Sequence, residues 1–398
     1  MKKIQMPEFS RTAKIALGIL IALGVLGLVS YGYQFVVGLG ATGLNNGVSW
    51  GLYIAMFLFC EGLASGCMIM ATSGFVFKNP RLERCALPGA LLALIFMSLA
   101  GVFVTLDLGN IMHILNLIIH LNVVSPLAWD IISITSFLIV TVVFIGTLLT
   151  GKKHTALRNA SAHIAFVLSV VVPTVAAFIF AVHAGREGWH SAIMPPLFVA
   201  SGLDSGLALL IVTLLGLNRT GVYKVQKSLI DTLSGILVMF IAADAFMIVS
   251  ELVIMAYPQV PQDARLLHEM TQGSVAGYFW IEMIVGLIIP LGLLLFSRLR
   301  THTMVVFVSS IAVIAGVFCK RMWLTITSFI HPQIEGAPGL ISASPHAQTG
   351  MDVFSVSASY VPQMPEIMLA VGMVSLGVAA FILLSATIMP WYEQRECK

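Results

Sequence analysis

Ten apolar stretches, each long enough to cross a lipid bilayer, run through this chain. They lie at about 15–37, 50–77, 86–108, 126–149, 162–184, 192–216, 229–256, 274–297, 303–325 and 367–389. A helix of about 20 apolar residues spans the ~30 Å hydrocarbon core. With no water there to satisfy backbone N–H and C=O groups, such a chain must fold as helices packed on one another. The expected fold is therefore an all-α integral membrane protein with ten transmembrane helices in a single membrane domain, 1–398. Composition agrees, with 58% hydrophobic and 10% charged residues. A soluble domain is nearer a quarter charged.

The charges between the stretches set the topology. Lys2, Lys3, Arg11 and Lys14 precede the first stretch, and alternate loops carry Lys78, Arg81 and Arg84, then Lys152, Lys153 and Arg158, then Arg219, Lys224 and Lys227, then Arg298 and Arg300. The positive-inside rule puts these loops and both termini, 1–14 and 390–398, in the cytoplasm. The intervening loops hold few basic residues. The exceptions are Arg186, Arg265 and the pair Lys320–Arg321, which closes the ninth helix on the outer side in this reading. The first stretch has no small-residue cleavage site after it and is read as a span. A net charge of +3, spread over short loops, argues against nucleic acid as a partner and for a lipid bilayer. The one long loop, 326–366, faces outward into the periplasm and is rich in Pro, Ser and Gly. At that length it is read as a binding or capping loop.

The second stretch organises the rest. It passes Trp50 at an interface and carries Glu61 about 16 Å deep, at roughly 1.5 Å per residue. A carboxylate at that depth costs about 2.5–3.5 kcal/mol, so it is expected to have a partner or a job. Gly62-Leu-Ala-Ser-Gly66 beside it lets another helix backbone come close. The motif recurs as Gly202-Leu-Asp-Ser-Gly206 in the sixth stretch. Trp129-Asp130 opens the fourth stretch, and Trp280-Ile-Glu282 opens the eighth. Both pairs are four helices apart. They suggest two parallel four-helix bundles, helices two to five and helices six to nine, within 50–325, flanked by helices 15–37 and 367–389.

Five acids lie well inside spans, away from their ends: Glu61, Asp204, Asp244, Glu251 and Glu282. They read either as a hydrated proton route climbing from the cytoplasm towards an outward-facing redox site, or as packing glue between helices. A second polar group gathers at the outer helix ends. It comprises Asn45, Asn46 and Trp50; His113 and His120; Trp129 and Asp130; and the run His183-Ala-Gly-Arg186-Glu187-Gly-Trp189-His190. A quinone needs such a place: a hydrogen-bond partner for each carbonyl, a base for the quinol protons, and aromatic walls. The bland alternative is an interfacial aromatic belt with solvated histidines. Haem would need paired imidazoles at depth. His163, His183, His302, His113 and His120 all lie at or beyond helix ends. The five cysteines include no Cys-x-x-Cys pair, so the chain has no iron–sulfur or zinc framework of its own.

Several segments carry a resemblance. The run from Phe35 to Ala55, with Asn45, Asn46 and Trp50, followed by Gly62-Leu-Ala-Ser-Gly66, resembles the second-helix region of the NrfD/PsrC polysulfide reductase membrane-subunit family. Ser125-Pro-Leu-Ala-Trp129-Asp130 resembles its Ser-Pro-x-x-Trp motif. Tyr278-Phe-Trp-Ile-Glu282 and Tyr360-Val-Pro-Gln-Met-Pro-Glu366 resemble segments of its ten-helix branch, which includes the hydrogenase-2 membrane subunit and those of alternative complex III. Where eight-helix members carry Asn and His, this chain has Ile54 and Phe57. The resemblance implies a quinone-interacting subunit, with menaquinone or another quinone and no haem or metal of its own. It implies a ferredoxin-like iron–sulfur partner on the periplasmic face, with a molybdopterin, hydrogenase or multihaem cytochrome subunit beyond. By similarity, His120, Asp130 and Arg321 are first choices for the pocket, with Asn45, Asn46 and Trp50 nearby.

The function expected from these readings is electron exchange between quinol and an iron–sulfur partner, in the cytoplasmic membrane of a bacterium or archaeon. His120 and Asp130 take protons, and Arg321 stabilises charge on a quinone oxygen. A secondary transporter fits the helix count and the acids as well, and Pro173 and Pro290 do interrupt spans. A haem-carrying anchor and a passive anchor complete the alternatives.

Overall fold

The computed structural model describes residues 10–45, 47–110, 119–330 and 359–396. Ten of its helices are long and apolar enough to cross a membrane: α1 (Arg11–Val37), α2 (Leu52–Val76), α3 (Leu82–Asp107), α4 (Pro126–Thr150), α5 (Thr155–Ala181), α6 (Met194–Thr220), α7 (Lys227–Ala256), α8 (Ala276–Leu295), α9 (Thr303–Ile330) and α10 (Met364–Glu393, continuing to Glu396). No strand occurs among the described residues.

α2 is the central helix. Every residue from Leu52 to Gly74 is buried, so no face of it meets lipid. α2 packs against α3, α5, α6 and α9. α1 is the opposite case: it buries only Gly24, Gly27 and Gln34, and lies outside, paired with α10. Both are uniformly apolar, so hydropathy alone does not tell the buried helix from the lipid-facing one. The difference lies in the small and polar residues of α2, which only protein neighbours can accommodate.

The recurring motifs meet each other. Gly62 and Gly66 of α2 lie against Gly202 and Gly206 of α6, with no side chain between them. A Cβ on Gly206 would sit 2.5 Å from the Gly66 Cα. The Cys67 thiol donates to the Gly206 carbonyl at 3.2 Å. The same device recurs where Gly286 of α8 meets Gly316 of α9, and where Gly27 of α1 meets Gly372 of α10.

Two elements depart from the sequence reading. A short amphipathic helix, Pro261–Gln272, precedes α8 and buries Leu266 and Met270. The Trp280 indole fastens it by donating to the Thr271 carbonyl at 2.9 Å. Within α8, Ile281–Ile288 is wound as a π-helix. Pro290 has no N–H to give the carbonyl four residues back, and the wider turns absorb that break.

The segment before α10 is clamped onto the start of α2. The Tyr360 hydroxyl accepts from the Leu52 N–H at 2.7 Å and donates to Glu366 at 2.9 Å. Glu366 also accepts from the Gly43 and Gln363 N–H groups at 2.7 and 2.9 Å. Burial beside the Glu366 carboxylate pushes the Tyr360 hydroxyl up, so it stays a donor. Glu366→Ala leaves three donors without their acceptor. It is expected to cost about 1–3 kcal/mol, read as a lower thermal midpoint in detergent. Tyr360→Phe is expected to cost less.

Candidate functional site

Trp50, at the entry to α2, marks one end of the bundle, and the candidate site descends from there. The Trp50 and Trp189 rings stack with centroids 5.4 Å apart and planes 18° apart. Phe180 and Phe329 meet Trp189 edge-on at 4.8 and 5.2 Å. Phe180 touches Phe198 at 5.9 Å, and the Arg321 guanidinium lies 4.1 Å over the Phe198 ring. An unbroken series of rings thus leads from the helix ends to a buried cation. Two hydrogen bonds pin the series: the Trp189 indole donates to the Leu324 carbonyl at 3.1 Å, and Arg186 donates to the Ser328 carbonyl at 3.3 Å. Arg186 lies over Phe329 at 4.4 Å, and partial burial draws its guanidinium down from the usual range.

Lys320 and Arg321 do not close a helix on the outer side. α9 runs on to Ile330, and both residues are fully buried within it. The sequence places this span at 303–325 with the basic pair closing it on the outer side, as an exception to the positive-inside rule. The pair stays in the membrane because other helices supply its counter-charges. Successive helical residues point about 100° apart, so the two cations address different neighbours. Arg321 donates to the Ser201 hydroxyl of α6 at 2.7 Å and faces α2 beside Gly62. It lies within electrostatic range of Glu61, which is likewise close to Asp130 of α4. Lys320 pairs with Asp244 of α7 at 2.6 Å and with Glu282 of α8 at 3.6 Å, and Asp204 lies in the same field. The Trp323 indole donates to Glu282 at 2.5 Å.

The result is a buried polar row: Asp130, Glu61, Arg321, Ser201, Asp204, Lys320, Asp244 and Glu282. It crosses the bundle sideways. Counting from the helix ends nearest Trp50, Asp130 is four residues in and Asp244 twelve, or about 6 to 18 Å. Glu251 stands apart, bonded to the Ser191 hydroxyl at 2.8 Å. It shares a small apolar cavity of about 40 Å³ with Trp323.

The remaining predicted residues divide. His120 and Trp129 are exposed at the approach to α4, where the indole donates to the Val123 carbonyl at 2.6 Å. Asp130, next in sequence, turns inward and is buried. His183 turns to its own helix and faces the Ile179 carbonyl. Asn45 caps its own turn, accepting from the Gly47 and Val48 N–H groups, and donates to the Ser359 carbonyl at 3.0 Å. Asn46, His113 and most of the 326–366 loop lie outside the described residues. Ser201, Phe198, Phe329 and Trp323 belong to the site and were missed by the sequence reading. Ser201 precedes Gly202 as Glu61 precedes Gly62, so the repeat register carried a signal for it. The three rings carried none beyond being aromatic.

Several atoms facing this site have no hydrogen-bond partner among the described residues. They include Glu61 Oε1, Asp130 Oδ1, and Nε and Nη1 of Arg321. Unpartnered buried groups of both kinds, acceptors and donors, are what a ligand with paired oxygens needs. No group of three or more His, Cys, Asp or Glu residues placed to hold a metal ion occurs among the described residues.

The family model described as "Polysulphide reductase, NrfD" matches residues 40–333. A Halobacterium salinarum protein, provisionally named as a membrane subunit of dimethyl sulfoxide reductase, is 28% identical over 91% of this chain and 88% of its own. A selenate reductase subunit of Mesobacillus selenatarsenatis is 23% identical over 96% of each chain. The Hdr-like menaquinol oxidoreductase integral membrane subunit of Archaeoglobus fulgidus is 24% identical over 92% and 90%.

Proposed function

We propose that this chain, which belongs to the NrfD polysulphide reductase family, is the quinone-interacting membrane subunit of a respiratory oxidoreductase. One observation carries the reading. A series of aromatic rings leads from one end of the bundle to Arg321, Glu61 and Asp130, whose polar atoms face the site unpartnered. A quinol held there supplies two electrons and two protons. Arg321 donates a hydrogen bond to one oxygen through Nη1, which has no partner among the described residues. Glu61 and Asp130 accept from the hydroxyls and take the protons, and the rings of Trp50, Phe180 and Phe198 exclude water. His120, exposed in the turn before α4, passes protons on to solvent. Electrons leave to an iron–sulfur partner docked over the Trp50 end, a position supported by the exposed His120 and Trp129 there. The two parallel four-helix bundles and the cytoplasmic termini belong to the same proposal. The contacts of α2 with α3 and α5, and of α6 with α7 and α9, support it.

The direction of the protons follows from the depth of the row. Five carboxyls share two cations, so the row has capacity to carry protons. All of it lies nearer the Trp50 end, and among the described residues no buried carboxyl continues towards the other face. That placement supports release on the Trp50 side.

The test is a fluorescence titration of the detergent-purified chain with a quinol-analogue inhibitor. Loss of a charge-assisted hydrogen bond is worth about 1.5–3 kcal/mol, or roughly tenfold to a hundredfold in Kd. Glu61→Gln and Asp130→Asn are each expected to weaken binding by at least about tenfold. Asn45→Ala, whose side chain caps its own turn, is expected to leave it unchanged. Saturable binding that ignores both acid variants would place the quinone elsewhere.

A further inference from the structure

A second concave site lies at the opposite end of the bundle, where the function proposed above has no use for it. The turn before α3 supplies Arg81 and the first turn of α3 supplies Arg84, the connection between α6 and α7 supplies Lys224 and Gln226, the start of α7 supplies Ser228, and α10 supplies Glu393. Together they line a cavity of about 560 Å³. We propose that this cavity binds the phosphate headgroup of an anionic phospholipid.

Charge is the first argument. The side chains of Arg81, Arg84 and Lys224 are exposed and come from two separate chain segments. One carboxylate, Glu393, lines the same space, and it accepts from the Lys224 backbone N–H at 3.3 Å. Geometry is the second. The buried Tyr223 donates its hydroxyl to the Arg84 carbonyl at 3.0 Å, which ties the two connections together. The cations are therefore held around a recess by the fold itself, and less ordering is left for binding to supply. Depth is the third. α2 and α7, with 25 and 30 residues, are about 38 and 45 Å long. Both exceed the ~30 Å hydrocarbon core, so their ends stand at headgroup level. A basic recess between helix ends at that level meets lipid phosphate at high local concentration.

The same chemistry accepts free phosphate, and an acidic segment of a partner protein is the other competitor. Native mass spectrometry of the full-length chain separates them, with dioleoylphosphatidylglycerol, dioleoylphosphatidylcholine and inorganic phosphate as probes. One phosphatidylglycerol is expected to bind saturably and to be kept over phosphatidylcholine. Arg81→Gln with Lys224→Gln is expected to weaken it about tenfold or more, at about 1 kcal/mol per cation. Glu393→Gln, which removes the opposing charge, is expected to tighten it, and this arm stands even if the double variant fails to fold. Equal retention of the two lipids, or phosphatidylglycerol affinity unmoved by the variants, overturns the proposal. Full competition by inorganic phosphate reassigns the recess to a soluble anion. Absence of the lipid from the intact complex, when the isolated chain holds it, reassigns the recess to a partner protein.

Discussion

Lys320→Met is expected to destabilise the protein by about 3–5 kcal/mol, the usual cost of removing one member of a buried ion pair. The ammonium group lies 2.6 Å from Asp244 and 3.6 Å from Glu282, and all three side chains are buried. Methionine fills a similar volume but removes the cation that both carboxyls pair with. The damage is therefore electrostatic, which makes it reversible in a defined way. Asp244→Asn alone is expected to destabilise as well, because it strands Lys320 beside a single, more distant partner. The double variant, Lys320→Met with Asp244→Asn, removes both charges and is expected to recover most of the loss. A double-mutant cycle on thermal midpoints in detergent measures the coupling. A double variant no more stable than its worse parent would show that the pair is not the unit that matters.

The same pair shows what the sequence could and could not tell. Hydropathy located all ten spans to within several residues, because length and apolarity are properties of one helix at a time. Glu61 and its glycines stood out for the same reason: a carboxylate and a close-packing motif side by side in one apolar run. Lys320 and Arg321 were placed at a helix end because the counter-charges that hold them inside lie on α2, α6, α7 and α8. Sequence separation hides those partners. The short helix Pro261–Gln272 went unread because it is polar overall, and its two buried residues, Leu266 and Met270, make too brief a pattern. Pro290 was noted as an interruption, but its outcome, a π-wound segment that contains Glu282, depends on what α9 offers opposite it.

The site was legible as a composition and not as a shape. Asp130 and Arg321 were picked as a pair by resemblance, and the structure brings both towards Glu61. His120 was picked with them, yet it is exposed while Asp130 is buried. Neighbours at the start of a helix can face opposite ways, and an interface cluster read from sequence mixes the two faces. Trp50 and Trp189 were read as interfacial rings, but the series they belong to was not. Trp50, Phe180, Trp189, Phe198 and Phe329 come from three helices and two loops, and no spacing rule joins them.

Gly66→Val is expected to destabilise the protein by about 3 kcal/mol or more. Overpacking a core usually moves a flexible side chain. Here the first atom added would meet the Gly202 carbonyl oxygen and the Gly206 Cα, which belong to the backbone of α6. A helix cannot give way locally, so α2 and α6 must move apart along the whole contact. The control is Gly146→Ala on α4, where a Cβ meets nothing within 4 Å. That change is expected to be neutral or slightly stabilising, since alanine is the better helix former by up to about 1 kcal/mol. The measurement is the amount of folded protein in the membrane and its thermal midpoint after extraction. A Gly66→Val protein as stable as the parent would mean that α2 and α6 do not touch as described. The consequence reaches the site, because Glu61 lies on one side of this crossing and Ser201 and Asp204 on the other. Any Gly66→Val protein that survives has α6 displaced from α2, and Arg321, held by the Ser201 hydroxyl, moves with α6. Such a protein is expected to lose quinol-analogue binding while Glu61, Asp130 and Arg321 are all still present. That outcome would tie the function to the spacing of two helices as well as to the residues they carry.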